Sequence, residues 1–223
     1  AGLPYPSVAM RSVPHASLDL GLLHFIVFGK PNHCKALVVV VGIVDQAVIG
    51  VDDALRAYEY LIECGISPRS IILCGESAGG GLSYALCLRL RDAGLPIPAG
   101  IIAISPWVDL TLSGDSIRNK ADVDIALNYE RLKFFADSYI GKAAPDNPEI
   151  SPIFADVTHM PPSLIFVGSD ELLHDDAQVL ERKLIHAGKS CKMIVGEKMW
   201  HAYTIYSLKE HKSDFVEMEE FID

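Results

Sequence analysis

Residues Gly75-Glu76-Ser77-Ala78-Gly79-Gly80 stand between a short apolar run, Ser70 to Cys74, and a helical pattern from Gly81 to Arg91. A serine placed where a strand turns sharply into a helix is held in a strained, exposed conformation, and only residues with little or no side chain fit beside it. Such a turn presents the serine oxygen as a nucleophile. It also aims the backbone N–H of the next residue, Ala78, at the oxyanion formed on attack. The pattern G-x-S-x-G arises by chance as well, so its partners matter. Two further strand-like runs end in usable groups: Ser163 to Val167 leads into Gly168-Ser169-Asp170-Glu171, and Cys191 to Val195 is followed by Trp200-His201. Nucleophile, acid and histidine are the parts of an acyl-transfer triad, in which the histidine is base and then acid while the carboxylate orients the imidazole.

These residues need a scaffold that brings strand ends together, and the alternation of elements supplies one. Ala54, Leu55, Tyr58, Leu61 and Ile62 mark a helical face after Asp52-Asp53, and Gly65 stops it. Leu82, Leu86 and Leu90 recur along the helix after Ser77, which Gly94 and Pro96 end, and Gly100 to Ser105 is the next buried strand. Tyr129 to Ile140 and Asp175 to Ala187 have helical patterns, whereas the irregular stretch from Leu110 to Tyr129 suits a substrate-covering loop. Apolar strands alternating with helices predict an α/β fold with a mostly parallel sheet covered by helices on both faces. Ligands in such sheets bind beyond the carboxyl ends of the strands, which is where Ser77, the acids and His201 fall.

Composition narrows the partners. The chain of 223 residues predicts one domain, spanning 1–223. With 19 Lys plus Arg against 29 Asp plus Glu, its formal charge of −10 disfavours nucleic acid and anionic membranes and fits a neutral small molecule. No apolar run approaches the roughly 20 residues that cross a bilayer, and the proline-rich stretch Ala1 to Pro14 lacks a targeting pattern. The expectation is a soluble, cytoplasmic protein, with room for a homodimer. Five cysteines without a C-x-x-C pair predict reduced core thiols, and His174-Asp175-Asp176 is better explained as acids opening a helix than as metal ligands. The glycines at 75, 79, 80 and 81 do not form G-x-G-x-x-G, which argues against a dinucleotide. Neither a metal nor a cofactor is expected.

Beyond the elbow, the chain resembles the hormone-sensitive-lipase family of α/β-hydrolases, whose members are mostly carboxylesterases acting on short acyl chains. The resemblance runs from about Val51 to the C-terminus. It rests on Asp52-Asp53-Ala54-Leu55, on the elbow, on Ser105-Pro106-Trp107-Val108-Asp109-Leu110, on Ser151-Pro152-Ile153-Phe154-Ala155-Asp156, on Pro161-Pro162 and on Trp200-His201. It implies the α/β-hydrolase fold, Ser77 as the nucleophile of an acyl-enzyme and His201 as its base, with no cofactor. Aligning Leu172 and Ala187-Gly188 with the family's acid turn and following helix puts Glu171 in the acid's place and leaves Asp170 one residue early. Ala78, Gly79 and His24 fall in the oxyanion and substrate-binding positions. A deacetylase or peptidase could use the same triad, and a small-molecule-binding homologue with weak turnover is the alternative outside catalysis.

The first fifty residues depart from the family. Leu23-His24 runs straight into Phe25-Ile26-Val27-Phe28-Gly29, where a His-Gly-Gly-Gly-type loop completes the oxyanion hole in the family, and a Tyr-Arg-Leu-Ala-Pro-Glu-like stretch is absent near Asp45-Gln46. The segment ahead is also short for the family's helical cap. Because the pattern resumes on the far side of each gap, the expectation is an interrupted chain between His24 and Phe25 and between Asp45 and Gln46. The alternative is a shortened oxyanion loop, at a cost on the order of 100-fold in turnover for one lost donor.

Overall fold

The computed structural model describes residues 24–29, 36–41, 47–206 and 208–223, with side chains from residue 50 onward. Among these residues six strands form one sheet in the spatial order of their sequence: β1 (His24–Gly29), β2 (Ala36–Val41), β3 (Ile71–Glu76), β4 (Gly100–Ile104), β5 (Ser163–Gly168) and β6 (Cys191–Gly196). β1 is antiparallel to β2, and every later pairing is parallel. Helix α1 (Ala47–Glu63) joins β2 to β3, α2 (Ala78–Asp92) joins β3 to β4, and α5 (His174–His186) joins β5 to β6. The long β4–β5 connection carries the short α3 (Ser116–Asn119) and α4 (Tyr129–Ile140), while α6 (Lys212–Ile222) closes the chain.

The two faces of the sheet can be read off the period of two along each strand. Ile71 and Leu73, Ile101 and Ala103, Ile165 and Val167 pack with α1, α2 and α5 in one core. Their neighbours Ile72, Ile102, Ile104, Leu164 and Phe166 point the other way, where Met218, Phe221 and Ile222 of α6 cover them. Strands β3, β4 and β5 are thus covered on both faces, which is why they are nearly continuous apolar runs. A third cluster, built on Trp107, Leu110, Leu132, Ile150, Leu172 and Leu173, belongs to the β4–β5 connection.

Two expectations are corrected here. His24 and Phe25 are consecutive rungs of β1, paired with Val41 and Val40, so no interruption falls between them. Residues 45 and 46, like the segment preceding His24 where a cap was sought, lie outside the described residues. The Asp52-Asp53 pair does not open a helix, because α1 starts at Ala47. Asp52 instead accepts from Arg89 Nη1 at 2.7 Å, and Arg89 also holds Glu149, tying α1 and α2 to the β4–β5 connection. His174-Asp175-Asp176 does open α5, but the two acids serve other backbone. Asp175 Oδ2 accepts from Ser116 N at 2.8 Å, and Asp176 Oδ2 accepts from Val108 N and Asp109 N at 2.9 and 2.8 Å.

Complete burial pushes the Asp176 carboxyl well above the usual carboxylate range, opposed by those two backbone donors and reinforced by the charge of Asp109. A carboxyl raised by folding contributes stability at low pH and loses it as pH rises through its folded-state value. Both backbone donors meet one oxygen, so Asp176→Asn keeps an acceptor for them and removes the ionisable group. The expected result is a melting temperature about 2–4 °C above the parent near pH 8, the shift that about 1 kcal/mol makes in a domain of this length, with the gap closing towards pH 4. Thermal melts of parent and variant across that range check it, and a gap that widens on acidification contradicts it.

Candidate active site

The turn that carries Ser77 is built by close approach. A Cβ on Gly75 would stand 2.2 Å from Gly79 O, so β3 can turn into α2 at this radius only with glycine there. Ser77 takes φ 54° and ψ −119°, a positive φ that side-chain-bearing residues seldom adopt. Four backbone hydrogen bonds hold it: its N–H donates to Ile104 O at 2.9 Å, and its carbonyl accepts from Trp107 N at 2.9 Å, Gly80 N at 3.0 Å and Gly81 N at 3.2 Å. The Ser105-Pro106-Trp107 block is therefore the elbow's brace.

The acid side of the site is a sealed hydrogen-bond cluster. Glu171 is fully buried and His201 is 8% exposed, with His201 Nδ1 3.3 Å from Glu171 Oε1. The other oxygen, Oε2, accepts from Ser105 Oγ at 2.7 Å and from Gly168 N at 2.8 Å. Three partners on two oxygens satisfy a carboxyl group that water cannot reach. Ser105, itself at φ 47°, uses its oxygen a second time, accepting from Ala202 N at 2.9 Å. One hydroxyl thus spans the acid and the residue after the histidine. Asp170, the alternative acid, accepts from Ser169 Oγ at 2.9 Å, and its N–H binds Met199 O.

The histidine loop is fixed from both sides. Gly168 must be glycine, since a Cβ there would lie 2.2 Å from Met199 O. Lys198 N donates to Ser169 Oγ at 2.7 Å, and Tyr203, two residues beyond His201, donates to Asp214 Oδ2 on α6 at 2.9 Å. Burial and that neighbouring carboxylate push the Tyr203 phenol far above its ordinary value, so it remains a donor.

Ser77 and His201 line one cavity of about 340 Å³, with Ala78, Trp107, Leu132 and Phe135 among its walls. Among the described residues no hydrogen bond joins Ser77 Oγ to His201. Ala78 stands on the cavity wall, and Gly79 lies behind it, buried within α2. His24 begins β1 opposite Val41, at the carboxyl end of β2 and two strands from the elbow strand, and its side chain lies outside the described residues. Burial raises the Cys74 and Cys191 thiols to about 12 and Cys87 is buried, whereas Cys64, just after α1, is exposed and departs from the expected core thiols. Among the described residues no group of three His, Cys, Asp or Glu is placed to hold a metal ion, and no helix is long and apolar enough to cross a membrane.

Residues 45–205 match the family described as the alpha/beta hydrolase fold. The chain belongs to that family. Among curated relatives, an acetyl-hydrolase of Streptomyces hygroscopicus is 41% identical over 156 residues, covering 70% of this chain and 52% of the relative. An esterase of Acinetobacter venetianus is 33% identical over 174 residues, covering 77% and 57%. The chain thus spans about half the length of the curated relatives it matches. Among solved structures, a hormone-sensitive lipase from a metagenome library superposes with a TM-score of 0.75 at 37% identity, over 78% of this chain and 60% of that one. An esterase from the bacterial hormone-sensitive lipase family does so with a TM-score of 0.75 at 36% identity, over 78% and 59%. The match starting at residue 45 leaves out the same N-terminal stretch in which the sequence departs from the hormone-sensitive-lipase pattern.

Proposed function

We propose that this α/β-hydrolase is a serine carboxylesterase that hydrolyses small, short-chain acyl esters through an acyl-enzyme on Ser77, with His201 as base and then acid and Glu171 as the orienting carboxylate. The observation that carries the reading is the buried His201–Glu171 pair opening, through the imidazole, onto the cavity that the strained Ser77 also lines. In the forward step Ser77 Oγ attacks the ester carbonyl while His201 Nε2 takes its proton. The carbonyl oxygen becomes an oxyanion facing the Ala78 N–H, and the imidazolium then hands the proton to the departing alcohol. Water repeats the sequence on the acyl-enzyme and releases the acid. A cavity of about 340 Å³ with mostly apolar walls suits a short acyl group, and the relative named an acetyl-hydrolase is in keeping with that size.

The test is hydrolysis of p-nitrophenyl esters from acetate to octanoate, with mass analysis after a serine-directed phosphonate. One phosphonate on Ser77 and highest kcat/KM on the short esters are expected. Labelling at another residue, or no labelling together with no turnover, overturns the reading. A second reading, a small-molecule-binding homologue with weak turnover, is favoured by one observation. β1 runs unbroken from His24 to Gly29, with no glycine-rich segment inserted there to add oxyanion donors beside Ala78 on the cavity wall. Ligand binding with turnover unchanged by loss of Ser77 would select it.

A further inference from the structure

The β4–β5 connection meets the turn carrying Glu171 through a buried carboxylate that the triad does not use. Asp124 is 9% exposed, and its two oxygens point to different parts of the molecule. Oδ1 accepts from Ala126 N at 2.8 Å and from Leu127 N at 3.0 Å, and both of those residues line the cavity. Oδ2 accepts from Leu172 N at 2.8 Å, the amide directly after Glu171. The same two segments are joined again at Ser116, whose Oγ donates to Leu172 O at 2.5 Å and whose N–H donates to Asp175, and by Lys120, which donates to Ser169 O. Leu127 and Leu172 also share the apolar cluster above the strand ends.

We propose that Asp124 is a positioning residue that locks the Ala126–Leu127 wall of the substrate cavity to the Glu171 turn, so that the fit of the acyl or alcohol group at that wall sets turnover as well as binding. The physical basis is the shared acceptor. A carboxylate can hold donors from two segments only while both keep their places, so displacing the wall pulls on Oδ1 and hence on the amide that fixes the acid's backbone. Small errors at an orienting group are amplified: a misplacement of about 1 Å can cost on the order of 100-fold in rate. Chain-length discrimination therefore enters kcat, where a passive wall would place it in KM.

The kinetic test rests on the esterase reading and uses Asp124→Asn, whose amide keeps one acceptor and turns an N–H₂ towards the donors that used the other. Rates are normalised to sites titrated by the phosphonate, which removes any loss from misfolded protein. The expected result is kcat per titrated site lower by about 10-fold, together with a change of at least about threefold in the butyrate-to-octanoate ratio of kcat. Either change without the other, or neither, overturns the proposal. A second measurement needs neither substrate nor variant. In native-state hydrogen exchange of the full chain, the Leu172, Ala126 and Leu127 amides should open as one unit with matching protection. Exchange rates of Leu172 and the other two that differ by more than about 10-fold, after correction for intrinsic rates, separate the segments and overturn the lock. If the parent turns over no ester, the esterase reading fails, and the exchange result alone still decides the lock.

Discussion

Ser77→Ala is expected to lower kcat on short p-nitrophenyl esters by about 10⁴-fold or more, because triad members act as a unit and the residual rate comes only from binding and oxyanion contacts. KM should change little. The side chain is half-buried at the cavity wall, and its removal leaves the backbone contacts to Ile104, Trp107 and Gly80 in place, so the elbow itself persists. Circular dichroism and a melt on the same variant separate loss of the nucleophile from loss of the fold. Full phosphonate labelling of the variant, or a kcat within about 10-fold of the parent, would reject Ser77 as the attacking group.

Glu171→Gln is expected to cost about 10⁴-fold in kcat, because replacing the orienting carboxylate of a triad by its amide stabilises the wrong imidazole tautomer. The geometry specifies which way the amide turns. Ser105 Oγ and Gly168 N are both donors to one oxygen, so the amide carbonyl is retained there and the N–H₂ is forced towards His201 Nδ1. Facing a donor, Nδ1 must become the acceptor, which puts the ring proton on Nε2 and leaves nothing to accept the proton of Ser77. Asp170→Asn is the companion measurement. Asp170 contacts Ser169 and the Met199 carbonyl, and its loss should leave kcat within about threefold of the parent. A larger loss from Asp170→Asn than from Glu171→Gln reverses the assignment.

From β3 onward the elements are legible in the sequence because β3, β4 and β5 are buried on both faces and their side chains alternate between two cores. The strand expected at Ser163 to Val167 is observed as Ser163–Gly168, and the helix expected over Tyr129 to Ile140 has those bounds. The candidate triad was accessible for the same reason, since a parallel sheet puts the residue after each strand at one edge. What the sequence conceals is every role that depends on a distant partner. Ser105 touches Glu171 across 66 positions and Asp124 touches Leu172 across 48, and no local pattern shows either contact. Asp52-Asp53 misled because acids near an apolar helical face resemble a first turn, while Asp52 is in fact mid-helix and held by Arg89. In α6 a signal did exist: Met218, Phe221 and Ile222 have the three- and four-residue spacing of a single helical stripe.

The positive φ angles of Ser77 and Ser105, at the ends of neighbouring strands, have a consequence for directed evolution of this protein. Each holds a side-chain-bearing residue in a conformation that costs on the order of 1 kcal/mol or more and that glycine adopts without penalty. At Ser105 the hydroxyl's bonds to buried Glu171 and to Ala202 N outweigh that cost, whereas Ser77 Oγ has no hydrogen bond among the described residues. A screen for heat tolerance alone would therefore reward glycine at position 77 and erase the candidate nucleophile. Libraries selected for thermostability need an activity filter from their first round, because at this site the stability gradient points away from catalysis.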